Sequence, residues 1–269
     1  MQREKYLTMF VDIRKYNFWE GNNSDLGFLR TDYTDKIQDS VGNKLVKVLV
    51  GQRRTGKSYV LRQLAHCLMD KGIPSKNILY VNKDYLEFGD IITFDDLQNL
   101  YVEYRQKLKP LGKVYLFLDE IQLVKGWEKF VNSHSQDFSE PAELFISGSN
   151  SDMLSGELAT LLSGRYVEFE ILPYSFGEYT KFRELEPDRE NYIKFLQEGM
   201  LPELFNLQTE EMRHHYVSSV KDTVMLRDIV RRYNVKDIQL LEDLFRYLVN
   251  NASRMVSVSN IVNYFKSQG

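Results

Sequence analysis

The sequence of 269 residues contains a single cysteine, Cys67, and six prolines. One thiol excludes an intrachain disulfide, and its place at helical spacing reads as a small core residue. No run of about 18 apolar residues occurs, so no membrane-spanning helix is expected. The first residues, Met1-Gln2-Arg3-Glu4-Lys5, lack the apolar stretch of a secretory leader. A cytoplasmic location is the expectation. Charge of either sign is nearly balanced, at 35 Lys and Arg against 38 Asp and Glu, a net of -3, which excludes a whole-chain affinity for nucleic acid or an anionic membrane. Any basic patch must be local. Neither C-x-x-C nor H-E-x-x-H occurs, and His214 and His215 are merely adjacent, so a metal site built from protein ligands alone is not expected. Internal repeats and low-complexity stretches are also absent.

Large rings are plentiful: 17 Tyr, 16 Phe and 2 Trp, enough to build a sizeable core. Residues 1–40 carry Phe10, Tyr16, Phe18, Trp19, Phe28 and Tyr33, and read as an N-terminal extension packed on the core. Gly21-Asn22-Asn23-Ser24 reads as a loop within it.

Residues 45–50, Leu-Val-Lys-Val-Leu-Val, form a β-branched run typical of a strand buried on both faces. Val60, Leu61, Leu64, Ala65, Leu68 and Met69 then follow at helical spacing, with Gly72 as the stop and Pro74 just beyond. Further strands are predicted at 78–81, 114–118, 143–147 and 166–171. Helices are predicted between them: one capped by Thr93 with Asp96 three residues on, one around 127–131 and one over 153–162. Strands alternating with helices imply right-handed βαβ units and a parallel sheet covered on both faces. From Pro173 onward the pattern is helical. The expected organisation is an extension at 1–40, an α/β core at 41–172, a helical region at 173–250 and a further segment at 251–269.

Gly51-Gln52-Arg53-Arg54-Thr55-Gly56-Lys57-Ser58 fits G-x-x-x-x-G-K-[ST] and sits between a strand and a helix. Gly51 and Gly56 let the backbone approach phosphates without a Cβ clash. Successive N–H groups, Tyr59 included, then form an anion nest at a helix N-terminus. Lys57 is placed to reach the β- and γ-phosphates and Ser58 to ligate Mg²⁺. Either Arg53 or Arg54 is in reach of phosphate. The chain is therefore expected to bind ATP with Mg²⁺ as a P-loop protein.

Downstream, Leu116-Phe117-Leu118-Asp119-Glu120 ends a strand in two acids. Acids at an apolar strand end are costly without a task. Asp119 is expected to hold Mg²⁺ through water and Glu120 to polarise the attacking water as general base. Ser147-Gly148-Ser149-Asn150-Ser151 follows the fourth strand. Asn150, with Ser149 as second choice, is a candidate to orient water or touch the γ-phosphate, and the same cluster suits a helix cap. Arg165 is placed either to neutralise phosphate charge, in cis or across a subunit interface, or to pair with an acid such as Glu168.

Asn82-Lys83-Asp84 resembles the guanine-reading N-K-x-D, but its aspartate comes one residue early and it precedes the acidic strand. Asp119-Glu120-Ile121-Gln122 is not D-x-x-G. Adenine is preferred by this elimination. Arg227, Arg231, Arg232 and Lys236 read first as a solvated helix face and second as a nucleic-acid contact.

At these residues the sequence resembles the predicted AAA-type ATPases of bacteria and archaea, in which an ATP-binding module precedes a domain of unknown function. The resemblance rests on the P-loop, Leu118-Asp119-Glu120-Ile121-Gln122 and the 147–151 stretch. It continues through Ser163-Gly164-Arg165, Leu172-Pro173-Tyr174-Ser175-Phe176, Gly199-Met200-Leu201-Pro202-Glu203 and Asp228-Ile229-Val230-Arg231-Arg232, and spans about residues 28–269. It implies an ASCE-type sheet with one strand inserted between the P-loop strand and the acidic strand, and a polar sensor at Ser149 or Asn150. It also implies a helical lid, a winged helix and a nuclease-like domain. Here the winged-helix pattern begins near 257–265 and the sequence stops at Gly269. The function expected is an ATPase coupling hydrolysis to a conformational change or to remodelling of a protein partner. The alternative is a slow or non-hydrolysing nucleotide switch. ATP and ADP are the expected ligands, with self-assembly and nucleic acid left open.

Overall fold

The computed structural model describes residues 10–21, 25–148 and 160–268. The chain divides into two compact units, one up to Arg213 and one from His214 onward.

Five strands form the sheet of the first unit: β1 (Val46–Val50), β2 (Ile78–Asn82), β3 (Val114–Asp119), β4 (Ala142–Ser147) and β5 (Tyr166–Glu170). Their order is β2-β3-β4-β1-β5, and every neighbouring pair is parallel. β4 is therefore the strand inserted between the P-loop strand and the acidic strand. The architecture is an ASCE-type, AAA-like P-loop α/β fold followed by a helical region.

Strand alternation sorts the core into two layers. Val46, Val48, Val50, Leu79, Val81, Leu116, Leu118, Leu144 and Ile146 face one cluster. Helices α3 (Phe94–Leu108) and α4 (Trp127–Gln136) cover that face through Leu97, Leu100, Tyr104, Phe130 and Val131. Leu49, Ile78, Tyr80, Tyr115, Phe117 and Phe145 face the other cluster with Ile37 of α1 (Thr31–Gln38) and Val60, Leu61, Leu64 and Leu68 of α2 (Lys57–Asp70). The Phe117 and Phe145 rings stack at 4.5 Å between centroids. α3 opens on the predicted capping box, in which Thr93 and Asp96 satisfy each other's backbone N–H groups.

Edge strand β2 is closed by the N-terminal extension. Asn17, fully buried, donates through Nδ2 to Tyr80 O at 3.1 Å and accepts from Tyr80 N at 2.7 Å. Its amide reproduces a ladder pair on an edge that would otherwise stay open. Trp19 Nε1 adds a bond to Ile78 O at 2.8 Å.

The regime change read at Pro173 is not a boundary between the compact units. Helices α5 (Phe176–Arg183) and α6 (Arg189–Glu198) and the 3-10 turn Pro202–Asn206 lie in the first unit. Tyr174, Tyr179, Phe195 and Phe205 join Phe28, Phe176 and Phe182 in an aromatic cluster. The reason is composition: most of the buried apolar positions of this stretch, Tyr174, Tyr179, Phe195 and Phe205, are rings, and Phe28 of the extension packs against them.

α7 (Glu210–Thr223) begins in the last residues of the first unit and runs, in the second, into a π-helical stretch, Val224–Val230. Seven residues of π-helix are unusual. α8 (Ile238–Asn250) is capped by Asp237, and α9 (Val258–Gln268) meets it through Tyr247 and Tyr264, whose rings lie 4.6 Å apart. Among the described residues, no helix is long and apolar enough to cross a membrane.

The edge closure is testable. Asn17→Ala leaves the Tyr80 N–H buried without a partner, a loss of about 1–3 kcal/mol. Urea denaturation of the two proteins measures it. Equal midpoints would show that the β2 edge does not depend on this amide.

Candidate functional site

β1 and β3 run in the same direction, so the loops leaving their C-terminal ends emerge on one edge of the sheet. That is where the P-loop and the acid pair meet.

Gly51 leaves β1 with φ +151°, and a Cβ there would lie 2.3 Å from Ile171 O. Only glycine fits, because Ile171 N donates to Val50 O at 2.7 Å and holds that backbone against the loop. Arg54 adopts φ 68° and Gly56 φ 94°, two left-handed residues that curl the loop. A Cβ at Gly56 would meet nothing within 4 Å, so the space over the loop stays open. Thr55, fully buried, closes the turn by donating from Oγ1 to Gln52 O at 2.9 Å.

α2 starts at Lys57 with Gly56 as its N-cap and no side-chain cap. The first N–H groups of a helix have no partner within it, and the helix dipole adds positive potential there. Lys57 is buried, and its Nζ donates to Gly51 O at 2.9 Å and Gln52 O at 3.0 Å. Ser58 is half-buried in the first turn. Gln52 and Arg54 are exposed and Arg53 is half-buried. Tyr59 is 39% exposed, and its hydroxyl donates to Asp25 Oδ2 at 3.3 Å.

Asp119 is 1% exposed. Its Oδ2 accepts from Tyr80 Oη and from Asn82 Nδ2, each at 2.8 Å, and its Oδ1 accepts from Ser147 Oγ. Glu120 follows in the left-handed conformation at φ 54°. Its backbone N–H donates to Ser147 Oγ at 3.2 Å, and its Oε2 accepts from Gln122 Nε2 at 2.6 Å. Burial raises the Glu120 carboxyl above its ordinary value, and the neighbouring Asp119 charge raises it further. Gln122 and Lys57 pull it down. Lys57 and Glu120 thus sense each other across the site.

The structure brings together Gly51, Thr55, Gly56, Lys57, Ser58, Asp119 and Glu120. It does not bring Arg165 to the P-loop. Arg165 O accepts from Val46 N at 3.0 Å, at the start of β1, and Gly51 lies at that strand's far end, on the order of 16 Å away. Arg165 is exposed there, so a role on its own chain's phosphates is ruled out by the direction of the strand. Ser149 and Asn150 lie outside the described residues. Tyr80 and Arg30 belong to the site and carry no motif that marks them; Ser147 opens the 147–151 stretch without being its candidate, and Asn82 stands out only in an imperfect guanine-like signature. Among the described residues, no three His, Cys, Asp or Glu side chains gather into a metal cluster.

A family model described as an AAA domain matches residues 43–180, and one described as a domain of unknown function matches residues 189–268. An uncharacterized protein of Haemophilus influenzae is 35% identical over 243 residues, covering 89% of this chain and 60% of that protein. A second, of Methanocaldococcus jannaschii, is 30% identical over 240 residues, covering 82% of this chain and 50% of that protein. The chain thus spans little more than half the length of these relatives. Among solved structures, the DNA complex of ORC1 from Aeropyrum pernix aligns at a TM-score of 0.47 and 14% identity, over 94% of this chain and 80% of that one. The RuvB branch migration motor of Thermotoga maritima aligns at 0.42 and 16%, over 78% and 66%. With its P-loop on β1, its acid pair on β3 and the matched model across both, the chain belongs to the AAA domain family and carries an AAA-type nucleotide-binding module.

Proposed function

We propose that this protein binds ATP with Mg²⁺ and hydrolyses it, using the cycle to change conformation or to remodel a partner. The observation that carries the proposal is the convergence of a buried lysine, a helix N-terminus and two adjacent carboxylates on one edge of the sheet. The residues fit a Mg²⁺–nucleotide pair. Gly51 to Tyr59 would cradle the phosphates with backbone N–H groups, and Ser58 and Asp119 would hold the cation with oxygen ligands. When bound, Mg²⁺ supplies charge neutralisation at the phosphate oxygens.

Each side chain then has a separable task. Lys57, now donating to Gly51 O and Gln52 O, would exchange those carbonyls for phosphate oxygens. Asp119 is oriented by Tyr80, Asn82 and Ser147 and cannot swing. Glu120 would accept the proton of the attacking water, and its raised pKa makes it a better base than an exposed carboxylate. Arg165, if it acts on phosphate, does so on a neighbouring chain. A slower, switch-like cycle is favoured by one contact: Gln122 holds one oxygen of the base.

Phosphate release from ATP in the presence of Mg²⁺ tests the proposal. Lys57→Ala is expected to abolish both binding and turnover. Glu120→Gln is expected to keep binding and to lose turnover by about 10²-fold or more. Turnover unchanged in both variants would end the ATPase reading.

The raised pKa of Glu120 also has a stability consequence. A carboxyl raised in the folded state is penalised when ionised, so its contribution is full at acid pH and is lost as pH rises through the folded value. Glu120→Gln is therefore expected to raise the melting temperature of the nucleotide-free protein at pH 8, with the gain vanishing towards pH 4. A gain that instead grows towards acid pH would show the carboxylate to be stabilised in place.

A further inference from the structure

Residues 25–33 lie along α2. Gln63 of that helix, 1% exposed, donates through Nε2 to Leu26 O at 2.7 Å and Phe28 O at 2.8 Å, and accepts from Arg30 N at 3.1 Å. This pins Arg30, itself 2% exposed, behind the P-loop.

The guanidinium joins three segments. Its Nη1 donates to Thr55 O in the P-loop at 2.9 Å and to Leu172 O, just beyond β5, at 3.0 Å. Its Nε and Nη2 form a fork on Glu178, at 2.6 Å to Oε1 and 3.0 Å to Oε2. Glu178 is also the capping-box acid of α5, accepting through Oε2 from Ser175 N at 2.9 Å and Ser175 Oγ at 3.1 Å. The rings of Tyr33 and Tyr174 flank the guanidinium at 4.5 and 5.0 Å.

We propose that Arg30 is a positioning residue that sets the phosphate cradle and couples its occupancy to the helical segment α5–α6. Thr55 C=O and Gly56 N–H belong to one peptide unit. In a trans peptide the N–H is directed opposite to the C=O, so a charged donor on the carbonyl fixes that N–H pointing away from Arg30, and polarises it. Glu178 neutralises the arginine, so the contribution is orientation rather than net field. The same guanidinium grips Leu172 O and the first turn of α5. A shift of the Thr55 peptide on nucleotide binding therefore moves the start of the helical segment. The fork is needed, because a lysine ammonium keeps the charge but cannot span the three acceptors in this geometry.

The inference rests on the nucleotide reading, and the test separates the two. Binding of a fluorescent ATP analogue with Mg²⁺ is measured for wild type, K57A, R30K and E178Q. Amide hydrogen exchange over residues 172–206 is followed with and without the analogue. Wild type is expected to bind, K57A not to. R30K is expected to bind about ten- to a hundredfold more weakly, the equivalent of one hydrogen bond to a charged group. At saturating analogue, wild type is expected to change its exchange in 172–206 and R30K is not. E178Q is expected to lose the exchange response with a smaller loss of affinity, and serves alone if R30K does not fold. Wild-type affinity in R30K, or an undiminished exchange response in R30K or E178Q, overturns the proposal while leaving the nucleotide reading intact. A folded wild type that binds no analogue removes both.

Discussion

The arrangement of the site depends on a carboxylate that is buried to 1% exposure. Asp119 could not remain charged at that depth without donors, since a buried charge is tolerated only when paired or fully hydrogen-bonded. The donors come from both neighbouring strands: Tyr80 and Asn82 from β2, Ser147 from β4. The register supplies them, with Asn82 opposite Asp119 and Tyr80 two positions back on the same face. A slip of one residue would turn both side chains to the other side of the sheet. Burial, with Asp119 beside it, raises the Tyr80 phenol, so it stays a proton donor. The requirement to satisfy one acid thus fixes the alignment of three strands.

That alignment in turn explains the backbone at Glu120. Strand alternation would send Glu120 to the face opposite Asp119. The left-handed conformation, φ 54°, breaks the alternation at a cost of about 1–2 kcal/mol for a residue with a Cβ. Ser147 Oγ holds it there by accepting from Glu120 N while donating to Asp119. One hydroxyl therefore connects both acids. The loop across the site is held in a comparable way, with Gly51 packed on the Ile171 carbonyl and Thr55 tied to Gln52.

Much of this was legible in local sequence. The strands announce themselves as β-branched runs, and the structure places each within a residue or so of its predicted limits. The Thr93–Asp96 box needs only a spacing of three. The P-loop shows itself by its two glycines, both at positive φ. The residues that were not legible act through partners distant in sequence. Ser147 was passed over in favour of Ser149 and Asn150 because nothing local reveals that β4 neighbours β3. Arg30 sits in an aromatic extension, and its acceptors lie 25, 142 and 148 positions away. Of the roles left open for Arg165, the one on its own chain's phosphates meets the strand's direction, since Arg165 lies at the opposite end of β1 from Gly51. Beyond Pro173 the pattern turns helical, while the rings there pack with Phe28 from the extension.

The electrostatics of the site follow from its two acids being adjacent. Asp119 is held by three donors, so the unfavourable interaction between the carboxylates falls on Glu120. Burial adds to it, and only Gln122 and Lys57 oppose it. The charge of the base therefore responds to what surrounds it. Lys57 is placed to change that response, because it lowers the Glu120 carboxyl while its Nζ donates to backbone carbonyls of the loop. Both bonds are charge-assisted, an ammonium donating to neutral carbonyls, and anionic phosphate oxygens are the stronger acceptors. An anion arriving at the helix N-terminus can draw the ammonium from these carbonyls and so shift the balance of charge at Glu120.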